Sequence, residues 1–91
     1  MNKKELVARA AGKAGTTEKL TAKVLNAVFE SITEALEAGD HVQLIGFGSF
    51  KVKERAARLG RNPSNGEQIE IKAKKVPGFA AAKELKERVD Q

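Results

Sequence analysis

The stretch Arg55-Ala56-Ala57-Arg58-Leu59-Gly60-Arg61-Asn62-Pro63-Ser64-Asn65-Gly66-Glu67-Gln68-Ile69-Glu70-Ile71 decides the reading of this chain. Downstream, Ile69, Ile71 and Ala73 alternate with Gln68, Glu70, Lys72 and Lys74, which is the period of a strand. Between the limbs lies Asn62-Pro63-Ser64-Asn65-Gly66. Asn65-Gly66 is a hairpin signal, because both residue types tolerate φ > 0. The expectation is a β-hairpin with limbs over about 53–60 and 67–74, each on the order of 25 Å long at about 3.3 Å per residue. Its large apolar residues are Leu59, Ile69 and Ile71, beside small Ala56 and Ala57. Such a ribbon contributes little to a core.

The same alternation continues upstream. Phe50 and Val52 alternate with Lys51, Lys53 and Arg55. Gly46 and Gly48 bracket Phe47 in a tight turn, and Val42 and Leu44 alternate with His41 and Gln43. Before residue 41 the period is 3.6. Leu6, Val7, Ala10, Ala11 and Ala14 make one stripe of a helix over 3–14, which Gly15 ends. Thr16 and Thr17 are N-cap residues for a second helix over about 18–38, stopped by Gly39. That helix carries two apolar stripes, Leu20-Val24-Ala27-Val28-Ser31-Ala35 and Leu25-Phe29-Ile32-Leu36. After the ribbon, Val76-Pro77-Gly78 breaks the returning strand, and Leu85 and Val89 mark a short helix over about 82–90. The predicted class is α+β: two N-terminal helices, a three-stranded antiparallel sheet with a long β-ribbon arm, and a short C-terminal helix. We expect one domain over 1–91, with a body of 1–52 and 76–91 and an arm of about 53–75.

Composition narrows the function. The chain has 91 residues, no Cys and one His. That excludes a disulfide framework and any cysteine zinc site. His41 stands alone, and no Ser or Lys lies in a recognisable catalytic motif. Gly46-Phe47-Gly48 is a turn pair, not a phosphate-binding loop. The expectation is no enzyme, no metal, no cofactor and no small-molecule substrate. The apolar runs are a few residues long and no secretory leader is visible, which predicts an intracellular protein without a membrane partner.

The net charge of +5 is local. Bases and acids balance in 1–40 and in 76–91, whereas 51–75 holds Lys51, Lys53, Arg55, Arg58, Arg61, Lys72, Lys74 and Lys75 against Glu54, Glu67 and Glu70. A localised basic segment is the electrostatic footprint of a polyanion binder. Arg55, Arg58 and Arg61 recur every three residues, so a flat strand would send them to alternate faces, whereas a twisted ribbon wrapping a groove presents all three to the phosphates. Guanidinium groups suit phosphate, because they stay charged and hydrogen-bond in a fork.

Without the arm, about 65 residues remain for a globular body, a marginal size for a monomer without disulfides or metal. Helix 2 has two apolar faces to cover. These two facts predict a two-fold homodimer. Phe29, Phe47, Phe50 and Phe79 are the only aromatics. With Ile32, Leu36 and Leu44 they are assigned to the core and dimer interface.

The chain resembles the HU-type bacterial histone-like proteins, with the integration host factor proteins as close relatives. The resemblance spans the chain and is densest in Gly46-Phe47-Gly48-Ser49-Phe50, in Arg55 through Gly66, and in Val76-Pro77-Gly78-Phe79 followed by Lys83-Glu84-Leu85-Lys86. It implies an intertwined dimeric helical body under a sheet saddle, with two arms that reach around double-stranded DNA. It further implies minor-groove binding with little sequence specificity, a preference for bent, nicked or gapped DNA, bending and compaction, and residence in the cytoplasm at the nucleoid. Carried over residue by residue, the arm contacts are Lys53, Arg55, Arg58, Arg61, Asn62, Pro63, Lys72, Lys74 and Lys75. Pro63 is the intercalating wedge, and Lys3, Lys83 and Lys86 are body contacts to phosphates. Two positions depart from the family. Ala80-Ala81-Ala82 stands where relatives often have Pro-Gly before the lysine, which leaves the Ala82 N–H as a less accessible phosphate donor. Asn26 stands where many relatives carry an acid, which implies a Lys3 freer to meet DNA.

Three other readings compete: a sequence-preferring host-factor-like bender, a basic hairpin that docks an acidic protein, and RNA binding by the same arms. Every DNA reading of the family needs the dimer. Sedimentation at micromolar concentration is expected to give twice the chain mass, and a stable folded monomer would remove that requirement.

Overall fold

The computed structural model describes residues 1–91. They form two compact units, 1–34 and 35–91.

In the first unit, α1 spans Lys3–Ala14. Asn2 caps it: its Oδ1 accepts from the Glu5 N–H at 2.9 Å. At the other end Gly15 adopts the left-handed region, φ 68°, and its N–H returns to the Ala11 carbonyl. Only glycine takes that conformation without a Cβ penalty. Val7 and Ala11, one turn apart, are buried. α2 spans Glu18–Glu37, and its last turn lies in the second unit. Thr17 caps it, as expected, by accepting from the Leu20 N–H at 3.1 Å.

In the second unit, β1 (Val42–Leu44), β2 (Gly48–Arg55) and β5 (Lys74–Ala81) form an antiparallel sheet in the order β1-β2-β5. β3 (Arg58–Arg61) and β4 (Gln68–Ile71) form a separate two-stranded ribbon. α3 covers Lys83–Val89, one residue shorter at each end than expected.

The expected break at Val76-Pro77-Gly78 is absent: β5 runs straight through Pro77, which lies opposite Val52. The ladder explains why. The Ala82 N–H donates to the Phe47 carbonyl at 2.9 Å. Hydrogen-bonded pairs recur every second residue, so Val52–Pro77 is a non-bonded pair. β5 is an edge strand, and the nitrogen of residue 77 faces away from β2. Proline is tolerated at such a position because no ladder bond is lost.

One face of this sheet is apolar. Phe50 lies opposite Phe79, with Val52–Pro77 and Gly48–Ala81 on the same side. The Phe79 ring sits 5.0 Å from Phe50 and 5.6 Å from Phe47, in tilted geometry. Gly48 is buried beneath it. A Cβ there would fall 2.5 Å from Phe79 Cζ and 2.7 Å from the Ala80 carbonyl oxygen, whereas a Cβ at Gly78 would meet nothing within 4 Å. Gly48→Ala is therefore expected to destabilise by about 1–3 kcal/mol through overpacking. Gly78→Ala should stay within about 0.5 kcal/mol of the parent. Urea unfolding at one protein concentration compares them, and equal midpoints would refute the packing account.

Candidate nucleic-acid interface

The opposite face of the sheet is polar and cationic along β2, with Val76, Gly78 and Ala80 beside it on β5. It carries Gln43 and Ser49, then Lys51, Lys53 and Arg55 on β2, and Lys74 opposite Arg55 on β5. No carboxylate shares this face; Glu54 lies on the other, opposite Lys75. The one ion pair within 4.0 Å in the whole chain is Lys83–Glu87, on α3. Every nominated arm cation, Lys53, Arg55, Arg58, Arg61, Lys72, Lys74 and Lys75, is exposed and free of an acid partner.

The limbs of the arm are not continuous, in contrast to the expected uninterrupted hairpin. Pairing stops after Arg55–Lys74 and resumes at Arg58–Ile71, leaving Ala56-Ala57 opposite Lys72-Ala73. Two residues are skipped on each strand, so the register is kept, but the alternation slips. Hydrogen bonding marks pair 47/82 in the first ladder and pair 62/67 at the hairpin end, where the Asn62 N–H donates to the Glu67 carbonyl at 2.8 Å. An uninterrupted ladder repeats every two residues, and these positions differ by an odd number. The slip falls at the unpaired alanines. For L-residues, positions whose N–H points at the partner strand share one face. Arg58 therefore joins Lys51, Lys53, Arg55 and Lys74, and Arg61 takes the opposite face with Leu59. Strict alternation, the expectation for a flat strand, would have put Arg58 alone.

Asn62 begins the tip. Its Oδ1 accepts from the Ser64 N–H at 2.9 Å, and its carbonyl accepts from the Gly66 N–H at 2.8 Å. The Asn65 Oδ1 accepts from the Glu67 N–H at 2.9 Å. Only Gly66 has positive φ, 72°. The expectation that Asn65 and Gly66 share the left-handed turn is thus corrected: the loop is the four residues 63–66, and Asn65 acts through its side chain. Pro63 is the first loop residue and is exposed. Asn62 retains its amide nitrogen as a donor.

The body lysines differ among themselves. Lys3 Nζ hydrogen-bonds Asn26 Oδ1 and sits 5.8 Å from the Phe29 ring centroid, within cation–π range. Lys3 thus has a neutral partner in Asn26 where an acid would have paired with it as an ion. Lys83 and Glu87 are 3.9 Å apart with side chains 84% and 65% exposed, so Lys83 stays available to solvent. Lys86 is exposed in the last turn of α3. The Ala82 N–H, considered above as a phosphate donor, is already given to the Phe47 carbonyl.

The assigned interface residues are open in the single chain. Phe29, Leu44, Phe47 and Phe79 are exposed, and Ile32, Leu36 and Phe50 are half-buried. Ile45, outside the assigned set, is 96% exposed. Lys51 is a second residue outside the nominated set, and the period-two run Lys51-Lys53-Arg55 carries the signal for it.

The family model for the bacterial DNA-binding proteins matches residues 1–90. The chain belongs to this family, that of the HU-type histone-like proteins. It is similar to DNA-binding protein HU of Geobacillus stearothermophilus, 57% identical over 89 residues that cover 98% of this chain and 99% of the relative. It is also similar to DNA-binding protein HU-beta of Pseudomonas aeruginosa, 53% identical over 90 residues, 99% and 100% of the two chains. Among solved structures, the Anabaena HU–DNA cocrystal structure matches with a TM-score of 0.88 at 52% identity, covering 98% of this chain and 97% of that one. HU from Thermotoga maritima matches with a TM-score of 0.71 at 40% identity, 98% of each chain.

The tip geometry is open to test. Asn62→Ala removes an acceptor worth about 1 kcal/mol, so amide exchange at Ser64 should accelerate roughly five-fold. The β2–β5 amides should keep their protection. Unchanged exchange at Ser64 would refute the side-chain turn.

Proposed function

We propose that this chain is an architectural, nucleoid-associated protein of the bacterial cytoplasm that binds double-stranded DNA with little sequence preference and bends and compacts it. The observation that carries this reading is the uncompensated cationic face that continues from the sheet onto the arm as far as Arg58. The family membership and the likeness to an HU–DNA cocrystal support it. The acting unit is a homodimer, in which a second copy covers Phe29, Ile32, Leu36, Leu44, Phe47, Phe50 and Phe79. The body, 1–52 and 76–91, carries two arms of about 53–75.

The mechanism follows from the residues. The two arms enter the minor groove, and Lys53, Arg55, Arg58, Arg61, Lys72, Lys74 and Lys75 neutralise phosphates, releasing condensed counterions. The donor nitrogen of Asn62 faces the groove beside Pro63. The Pro63 ring is apolar and rigid, and at an exposed tip it wedges between base pairs and kinks the duplex. Lys83 and Lys86 meet the flanks of a bent duplex, and Lys3 joins them once it leaves Asn26. DNA that is already bent, nicked or gapped requires less deformation energy and is preferred. None of these steps calls for catalysis, a metal or a cofactor.

End-to-end energy transfer on a labelled duplex of a few tens of base pairs tests this reading. Binding should shorten the duplex, ignore sequence, and weaken with salt at a log–log slope of about −0.9 per phosphate neutralised. Pro63→Ala should lose more of the shortening than of the affinity. Binding confined to one sequence would favour a host-factor-like bender. No binding at low salt would overturn the reading in favour of an acidic protein partner.

A further inference from the structure

The cationic face does not end where the arm ends. Below Lys53, the next residue on the same face of β2 is Lys51, and below that Ser49. Residues on one face recur at about 6.6 Å, so Lys51, Lys53 and Arg55 set three cations along roughly 13 Å of one strand. Lys51 lies opposite Gly78. A Cβ at Gly78 would touch nothing within 4 Å, so the surface beside Lys51 is open. Lys51 is exposed, has no acid within 4.0 Å, and shares its face of the three-stranded sheet with no carboxylate. Ordinary solubilising lysines are interspersed with acids, as in 1–40, where bases and acids balance. Lys51 sits instead in a single-sign row on the side away from Phe50 and Phe79.

We propose that Lys51 is a phosphate-contacting residue, which extends the DNA track from the arms onto the sheet between them. This inference rests on the function proposed above. It adds one neutralised phosphate per protomer, two in the dimer. The contact is electrostatic and made to the backbone, so it strengthens binding to every duplex equally.

The test uses the full-length protein and a random-sequence duplex. Affinity is measured between about 50 and 200 mM salt, the range over which counterion release is large. Lys51→Gln should reduce the steepness of the log–log salt dependence by about 0.9 per lysine lost, hence by about 1.8 per dimer. Lys51→Arg should restore it. Lys13→Gln, in the last turn of α1, is the control and should leave the slope unchanged. A second measurement needs no variant. Acylation of the wild-type protein, read by mass spectrometry, should find Lys51 protected by the duplex and Lys13 reactive. If Lys51→Gln matches Lys13→Gln and Lys51 is acylated equally with and without DNA, while the wild type binds, this inference falls and the proposed function stands. If the wild type does not bind the duplex, both fall.

Discussion

The period-two alternation of β2 is the constraint on which the molecule turns. Phe50 and Val52 go to one face because Lys51, Lys53 and Arg55 go to the other. A slip of one residue would take Phe50 and Val52 away from Phe79 and put Lys51, Lys53 and Arg55 on the apolar face, so the register is pinned by both faces at once. Gly48 reinforces it. Its missing side chain is the space in which the Phe79 ring lies. The apolar face and the cationic face are therefore two results of one arrangement.

The distal ribbon obeys a different rule. With Leu59 68% exposed and no buried side chain in β3 or β4, it has no core to hold it. Backbone ladder bonds and the asparagine turns at the tip give it order instead. Elements of this kind lie at the low-stability end of a protein, where segments that rearrange around a ligand are drawn. The unpaired Ala56-Ala57 and Lys72-Ala73 also change the alternation without changing the register. They turn Arg58 onto the face of Arg55, where straight alternation would separate them.

Much of this was legible in the sequence, and the exceptions have physical causes. Thr17, Gly15 and the change of period near residue 41 act locally, and the local reading of them holds. Pro77 misleads because its tolerance depends on two facts that no window contains: β5 is an edge strand, and residue 77 pairs at a non-bonded position. Asn65 misleads because the asparagine side chain competes with backbone conformation as a way to close a turn. Lys3 meets its partner through tertiary structure: Asn26 is distant in sequence, and its amide oxygen accepts from the ammonium, although without the charge attraction a carboxylate would add. Among the cations, charge found the segment and the period-two run set Lys51 beside Lys53 and Arg55, whereas only the strand register placed Arg58 and Arg61 on their faces.

Pro77 has one more consequence. A sheet edge is a template: its outward N–H and C=O groups invite the next strand from any neighbour. On β5 the outward position at 77 offers no N–H, and Lys74 and Lys75 stand at the start of the strand. The proline thus removes one donor from the open edge and makes β5 a poorer template for an added strand.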